Sequence, residues 1–125
     1  MALRTLKSPV RTMTGVTDTY TFENVHGKVK QVAIKPSGVS TDFKISYVVN
    51  DITHYIMGSA GAAVSVAAVG QVFYPVEVRC LADGVDLVTA ANIHAEIPVN
   101  AHDIVVAVSN GAVTETWSVE IVVEE

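Results

Sequence analysis

The sequence predicts an all-β protein, an antiparallel β-sandwich of Ig-like or jelly-roll-like type with about eight or nine strands. Several segments alternate apolar and polar residues with a period of two, which indicates half-buried strands. Turn signals separate these segments at a spacing of roughly 8–12 residues. Half of the 125 residues are hydrophobic and 17% are charged, which favours one domain with a substantial core.

The strongest strand signals lie in residues 104–123. Ile104–Val108 is apolar at every position, so we expect a strand covered on both faces. Asn110-Gly111 predicts a type I′ turn that joins this strand to the next as a closing hairpin. The following strand places alternate apolar residues on one face: Trp117, Val119, Ile121 and Val123. We expect the indole of Trp117 in the core between the two sheets.

The first strand signals come from residues 19–35. Thr19–Glu23 alternates as a short strand, and Asn24–Gly27 predicts a turn. The next strand, Gly27–Lys35, carries one apolar residue out of phase with the others, so a β-bulge is expected near Lys30-Gln31. Pro36–Gly38 ends this strand.

The middle of the chain predicts a hairpin followed by a segment of small residues. Phe43–Val49 alternates strongly, Asn50-Asp51 is a turn, and Ile52–Met57 is the returning strand. Gly58–Gly70 is rich in Gly and Ala but too interrupted for a stable helix. We expect a tightly packed strand of small residues there, with a contact loop on the rim as the alternative.

Further strands are predicted between residues 72 and 103. In Val72–Cys80 the even positions, including Val72 and Tyr74, are predicted to face the core, which leaves Phe73 exposed. Pro75 suits an edge strand or a bulge. The remaining predictions are an Asp83-Gly84 hairpin turn, a return through Val85–Val88, a strand over Ile93–Val99 and a turn at Asn100–Asp103.

Residues 1–17 show neither period and predict an extended amino-terminal arm ahead of a single sandwich domain, residues 18–125. The net charge of −5 is unevenly distributed, because six of the eight basic residues fall within residues 1–35. Either these are ordinary solvated charges, or the basic part docks on an acidic surface such as that of a neighbouring copy. The alternative for the arm is a mobile terminus.

No pattern in the sequence predicts catalysis, so we expect no catalytic residue, no cofactor and no enzymatic activity. The histidines show no metal-ligand spacing. Asp51, Asp83 and Asp86 lack the pattern of a calcium-binding loop. Cys80 is alone and lies in the apolar phase of its strand, which predicts a buried thiol in a protein made in a reducing cytoplasm. The histidines are His26, His54, His94 and His102.

Membrane and nucleic-acid partners are not expected. No apolar run approaches the ~18 residues of a membrane helix, and the first residues do not form a signal peptide. The acidic balance also argues against a general nucleic-acid binder.

The closing residues 108–121, Val-Ser-Asn-Gly-Ala-Val-Thr-Glu-Thr-Trp-Ser-Val-Glu-Ile, follow a Val/Thr/Ala-rich sandwich pattern. With the arm of residues 1–17, the whole chain resembles the small structural proteins of tailed-bacteriophage virions. The resemblance implies a capsid decoration or cement protein, made in the bacterial cytoplasm and located in the virion. Its implied partners are the major capsid protein, other virion proteins and further copies of itself. The expected arm contacts are Leu3, Arg4, Leu6, Lys7, Val10 and Arg11.

Two other functions are consistent with the same pattern. One is a structural component of a virion neck or tail. The other is a carbohydrate- or cell-surface-binding sandwich, which requires an exposed patch near Phe73 or at the Asn50-Asp51 and Asn100–Asp103 loops.

Overall fold

The computed structural model describes residues 2–38, 41–78 and 94–125, and these residues confirm the predicted all-β antiparallel class. The described strands pair antiparallel within one sheet. The two-sheet sandwich and the independent arm stay predictions. The strands are β1 (Leu3–Lys7), β2 (Arg11–Thr12), β3 (Asp18–Pro36), β4 (Thr41–Val49), β5 (Ile52–Met57), β6 (Val64–Val66), β7 (Gln71–Phe73), β8 (Val76–Val78), β9 (His94–Ser109) and β10 (Thr116–Glu124).

Strand β3 is the central strand of the sheet, whose main order is β1-β10-β3-β9-β4-β5. Its 19 residues pair with β9 along Asp18–Val29 and with β10 along Lys28–Pro36. The short strands lie beside this path: β2 pairs with β10, β6 with β4, β7 with β3 and β8 with β9. Because β3 lies between β9 and β10, the predicted closing hairpin of these two strands is wrong.

The connection at Asn110-Gly111 explains that error. Asn110 has a positive φ of 55°, but Gly111 does not, so the two central residues do not form a type I′ turn. The loop instead pairs with the amino-terminal segment: the amide of Gly111 donates to the carbonyl of Val16, and that of Thr114 donates to the carbonyl of Met13. The chain therefore crosses to the far edge of β3 before β10 begins.

The predicted turns at Asn24–Gly27 and Asn100–Asp103 are also wrong, because both segments continue as strand. The pairing passes from Phe22↔Ile104 to Val25↔His102, which leaves an extra residue on β3, and then to His26↔Asn100, which leaves one on β9. Asn24 and Ala101 have φ values of 53° and 58°. Positive φ is required by some bulges as well as by tight turns, and here it bends the β3–β9 ribbon without reversing it.

Three local predictions are confirmed. Val122 pairs with Gln31 and Val123 with Val29, so Lys30 forms the predicted bulge. Asn50 and Asp51 both have positive φ, at 50° and 63°, in the turn between β4 and β5. Strand β3 ends at Pro36.

The segment from residue 58 to 78 contains shorter strands than predicted. Within Gly58–Gly70, Val64–Val66 forms β6 against β4. The predicted strand Val72–Cys80 is divided at Tyr74-Pro75, since β7 pairs with β3 and β8 with β9. The predictions at Cys80, Asp83-Gly84 and Val85–Val88 lie outside the described residues.

The sheet curls so that its inner face packs against itself. Phe43 on β4 and Trp117 on β10 meet edge to face with ring centroids 5.9 Å apart. Three strand steps separate β4 from β10, so a flat sheet would hold them about 14 Å apart. Trp117 is 1% exposed, which confirms its predicted core position. The alternating residues of each long strand fill this core, among them Val32, Ile45, Ile104, Val106 and Ile121.

The expectation that Ile104–Val108 is covered on both faces is wrong. Ile104, Val106 and Val108 are buried, whereas Val105 is half-buried and Ala107 is exposed. Residues Ile104–Val108 are all apolar, but the curled sheet encloses only one face of this part of β9. The apolar run therefore overstates the burial of the strand.

Gly27 lies where β9 and β10 flank β3 together, and we expect Gly27→Ala to destabilise the protein. Its φ is +116°, and a Cβ atom there would lie 2.6 Å from the carbonyl oxygen of Glu124. Backbone strain and this contact should lower the free energy of unfolding by about 1–3 kcal/mol. Chemical denaturation measures the change.

The matched control is Gly15→Ala, because a Cβ atom there would meet nothing within 4 Å. Its effect should remain within about 0.5 kcal/mol. Equal effects of the two substitutions would contradict the assigned role of Gly27.

Candidate interaction surface

The segment predicted to be an arm is extended and lies along the edge of its own sheet. Strand β1 pairs with β10 from Leu3↔Glu124 to Lys7↔Glu120, and β2 pairs with the start of β10. The predicted contact of this segment with another protein stays a prediction.

The predicted contact residues of β1 fall on both of its faces. Leu3 projects outward and is exposed, whereas Leu6 shares the inner face with Ile121 and packs partly against the core. Arg4 Nη1 lies 3.3 Å from Glu125 Oε1, and Lys7 Nζ lies 3.5 Å from Glu120 Oε1. These ion pairs are exposed, so each contributes little to stability. They do bring basic β1 onto the acidic end of the same chain.

Residues 8–13 are held more firmly than β1. The Ser8 amide donates to the Val119 carbonyl at 2.9 Å, and the Val119 amide donates to Ser8 Oγ at 2.9 Å. Met13 is 2% exposed and belongs to the core. Gly111 accommodates it, since a Cβ atom at residue 111 would collide with Met13 Sδ. This part of the predicted arm is therefore integral to the packing of the sheet.

Arg11 is bound within its own chain by Asp18, which also binds the core indole. Arg11 Nε and Nη2 donate to the two Asp18 oxygens at 3.2 and 3.0 Å, and Trp117 Nε1 donates to Asp18 Oδ2 at 3.0 Å. The Arg11 guanidinium also lies 5.8 Å from the centroid of the Tyr20 ring. Hydrogen bonding from Arg11 holds the pKa of Asp18 below its ordinary value.

The outer face carries a shallow groove of two adjoining depressions on either side of Lys35 and Ser118. One depression is lined by Val10 and Ala68, and the other by Val69 and Val72. We call this feature the valine groove. Val10 and Val69 are 71% and 85% exposed, and Val72 is also exposed. Lys35 Nζ donates to the Ala68 carbonyl and holds the loop beside β3. Glu120 and Gln71 add polar groups to the lining.

The predicted exposure of Phe73 is wrong. Phe73 pairs with the fully buried Val32, and paired residues point to the same face, so its ring packs against the core. Val72, opposite Ala33, faces outward, and Tyr74 is 70% exposed. The alternation of this segment is thus the reverse of the predicted one. A contact role for Phe73 itself stays a prediction.

Two histidines flank Tyr47 at one end of the core. The centroids of His54 and His102 lie 4.9 and 5.1 Å from that of Tyr47, whose hydroxyl donates to the Pro98 carbonyl at 3.2 Å. His26 is exposed. Within the described residues, no group of three His, Cys, Asp or Glu side chains is placed to hold a metal ion. Cys80, Asp83, Asp86 and the side chain of His94 lie outside the described residues.

The loops proposed for glycan contact differ in kind. Asn50-Asp51 is an exposed turn at the tip of β4 and β5. Asn100–Asp103 is part of β9, where Asp103 Oδ1 accepts a hydrogen bond from the Asn24 amide at 2.9 Å. Only the first is therefore a loop tip.

No protein-family model matches the chain, and no curated protein matches its sequence. No helix among the described residues is long and apolar enough to cross a membrane.

Sequence reasoning missed Val69 and Tyr74 as exposed apolar residues. A signal for Val69 was present, because it precedes Gly70, whose positive φ of 81° belongs to a turn. An apolar residue in a turn has no strand face to place it in the core. The sequence contains no signal for the hydrogen bond between Asp18 and Trp117, since 99 residues separate them.

We expect Asp18→Asn to reduce the pH dependence of stability. The amide keeps an oxygen for the Trp117 N–H but removes the charge bound by Arg11. Because the folded-state pKa of Asp18 is lowered, its contribution is complete above the unfolded pKa and is lost as the pH falls through the folded value. Unfolding free energies from pH 7 to about pH 2 should differ most at neutral pH and converge in acid.

Arg11→Gln supplies the control, because it removes the main cause of the lowered pKa. In the Arg11→Gln background, Asp18→Asn should change the pH dependence of the unfolding free energy less than it does in the parent protein. Parallel pH profiles for the parent and Asp18→Asn would contradict the assignment.

Proposed function

We propose that this protein is a non-enzymatic structural protein of a phage virion, most specifically a capsid decoration or cement protein that binds across capsomers. The observation that supports the proposal is the valine groove. Its exposed apolar side chains are presented at Val10, in the connection between β1 and β2, and at Val69, in a turn. Exposed apolar side chains grouped in this way mark protein interaction surfaces.

The groove has the composition of a small interface. Val10, Val69 and Val72 supply apolar area, and Lys35 and Glu120 supply charges that fix the orientation of a partner. Burying one valine side chain contributes about 1.5–3 kcal/mol. Such a contact is modest for one copy, but many copies on a lattice add their binding free energies.

The proposed mechanism is passive. A copy that binds the assembled shell more tightly than free capsid subunits shifts the assembly equilibrium toward the shell by mass action. The protein then needs no conformational change and no chemical step. It needs a stable fold that holds its contact surface in place, which the Arg11–Asp18–Trp117 contacts and buried Met13 favour.

One alternative has a specific observation in its favour. Tyr74 is 70% exposed, and an exposed tyrosine ring can stack on a sugar. This supports a carbohydrate- or cell-surface-binding module. A neck or tail component of the same kind of virion would use the same groove and differs only in its position in the particle.

We expect Val10→Ser and Val69→Ser to weaken binding to the capsid by about tenfold or more each, because each removes apolar area from the contact. Co-sedimentation with heads purified from a phage lacking this gene measures the affinity. Both side chains are exposed in the free protein, so thermal stability should change little.

Val113→Ser is the matched control, since Val113 is 60% exposed but lies in the loop before β10, outside the groove. Equal binding by all three variants and the parent would overturn the assigned surface.

The position in the particle is tested by immunogold labelling of intact virions with antibodies against this protein. Labelling over the whole head supports decoration, and labelling at the neck or tail supports the alternative. Unlabelled virions, together with binding of the free protein to a glycan array, would replace the virion role with carbohydrate binding. Tyr74→Ala should then abolish glycan binding.

A further inference from the structure

The amino-terminal segment has two parts that differ in how they are held. Residues 8–13 are fixed by the Ser8–Val119 hydrogen bonds and by the burial of Met13. In β1, four of the five residues are exposed and only Leu6 packs partly against the core. The side-chain ion pairs of β1 are also exposed. Detaching β1 therefore removes little buried apolar area from the protein.

The chain can leave the sheet between Lys7 and Ser8, where β1 ends and the residues held by the Ser8–Val119 hydrogen bonds begin. Pro9 has no amide hydrogen, and neither Pro9 nor Val10 belongs to a strand. Residues 2–7, when extended, reach about 20 Å from this point. Detachment leaves the outer edge of β10 unpaired along Glu120–Glu124, and an unpaired strand edge readily accepts another strand.

We propose that β1 is exchanged between copies: the Leu3–Lys7 strand of one chain pairs with the β10 edge of a second chain. This inference deepens the proposed function by naming a second copy as the partner of β1, and it rests on the proposed assembly role. A reciprocal exchange joins two copies, and a sequential one links a row of copies.

The contacts between β1 and β10 within one chain show that the two strand edges are complementary. An exchanged β1 would keep the five-residue register and the packing of Leu6 beside Ile121. It would also keep the ion pairs of Arg4 with Glu125 and of Lys7 with Glu120. The exchange then loses none of the contacts between β1 and β10. The local concentration of neighbouring copies decides whether β1 pairs within its own chain or with another chain. Copies held on a lattice raise that concentration to the millimolar range.

Charge also favours this partner over an unrelated strand. Arg4 and Lys7 give β1 two positive charges, while the receiving edge ends with Glu120, Glu124 and Glu125. Opposite charges steer the encounter, and a strand with acidic residues at those positions would be repelled.

The exchange can be detected by a disulfide between Thr5 and Val122. Hydrogen bonds of Ser8 to Val119 and of Glu125 to Ala2 fix the alternation of the ladder, so Thr5 and Val122 form a non-hydrogen-bonded pair. The Cα atoms of such a pair are about 4.5 Å apart, a distance that permits a disulfide. In a Cys80→Ser background, chains carrying Thr5→Cys are mixed with chains carrying Val122→Cys at high protein concentration and oxidised.

Because each chain has one cysteine, a 5–122 disulfide can form only between chains. We expect this cross-link as a covalent dimer on non-reducing gels, identified by peptide mass spectrometry, with a yield that rises with protein concentration. The pair Thr5→Cys with Ala112→Cys is the control, since Ala112 is exposed in a loop. A chain with both Thr5→Cys and Val122→Cys verifies that the geometry forms the bond.

The light-scattering mass of the same mixtures before oxidation separates the two proposals. A 5–122 yield no higher than the control, in samples that nevertheless associate, would overturn the exchange and leave assembly through the valine groove intact. Monomers with a control-level yield would overturn the exchange and also self-association in solution. A 5–122 yield well above the control establishes the exchange.

Discussion

The fold depends on the ability of β3 to pair with two different partners along its length. Near Lys28-Val29 the strand is flanked on one edge by β9 and on the other by β10. That position requires a close approach of backbones, and Gly27 permits it because a side chain would collide with the Glu124 carbonyl. The bulges at Asn24, Ala101 and Lys30 bend the strands on either side. The sheet can then curl until Phe43 meets Trp117.

This curl explains why the amino-terminal segment is not uniform. Where the segment crosses the end of the core, Met13 fills a space beside Gly111, and Arg11 neutralises the carboxylate that accepts the Trp117 N–H. Burial of the indole without that acceptor would leave a polar group unsatisfied. Strand β1 only extends the edge of β10 and contributes one partly buried side chain. The amino-terminal segment is therefore anchored mainly through residues 8–18 and less through β1.

Period-two alternation correctly predicted the all-β class and the buried faces of β4 and β10, because burial on one face fixes which residues are apolar. Turn chemistry was less informative. Asn and Gly signal positive φ, and this conformation serves a hairpin at Asn50-Asp51 but a bulge at Asn24. Pairing decides between them, and pairing is not local in the sequence. The inversion at Phe73 has the same origin, since its register with Val32 sets the face.

The candidate site could be predicted only in part, because it also depends on strand pairing that is not local in the sequence. Basic residues near the amino end indicated a docking segment, but only the fold shows that Arg11 is bound by Asp18 while Arg4 and Lys7 lie on the surface. The valine groove joins residues 10, 69 and 72, which the order of strands brings together across β3 and β10. The groove spans β3, with β7 on one of its edges and β10 on the other, while the edge of β10 that pairs with β1 lies one strand further out. Under the two proposals, the groove and the exchanged β1 would be two weak contacts on one rigid sheet, and they would act as one strong contact because the second forms without a further loss of translational freedom.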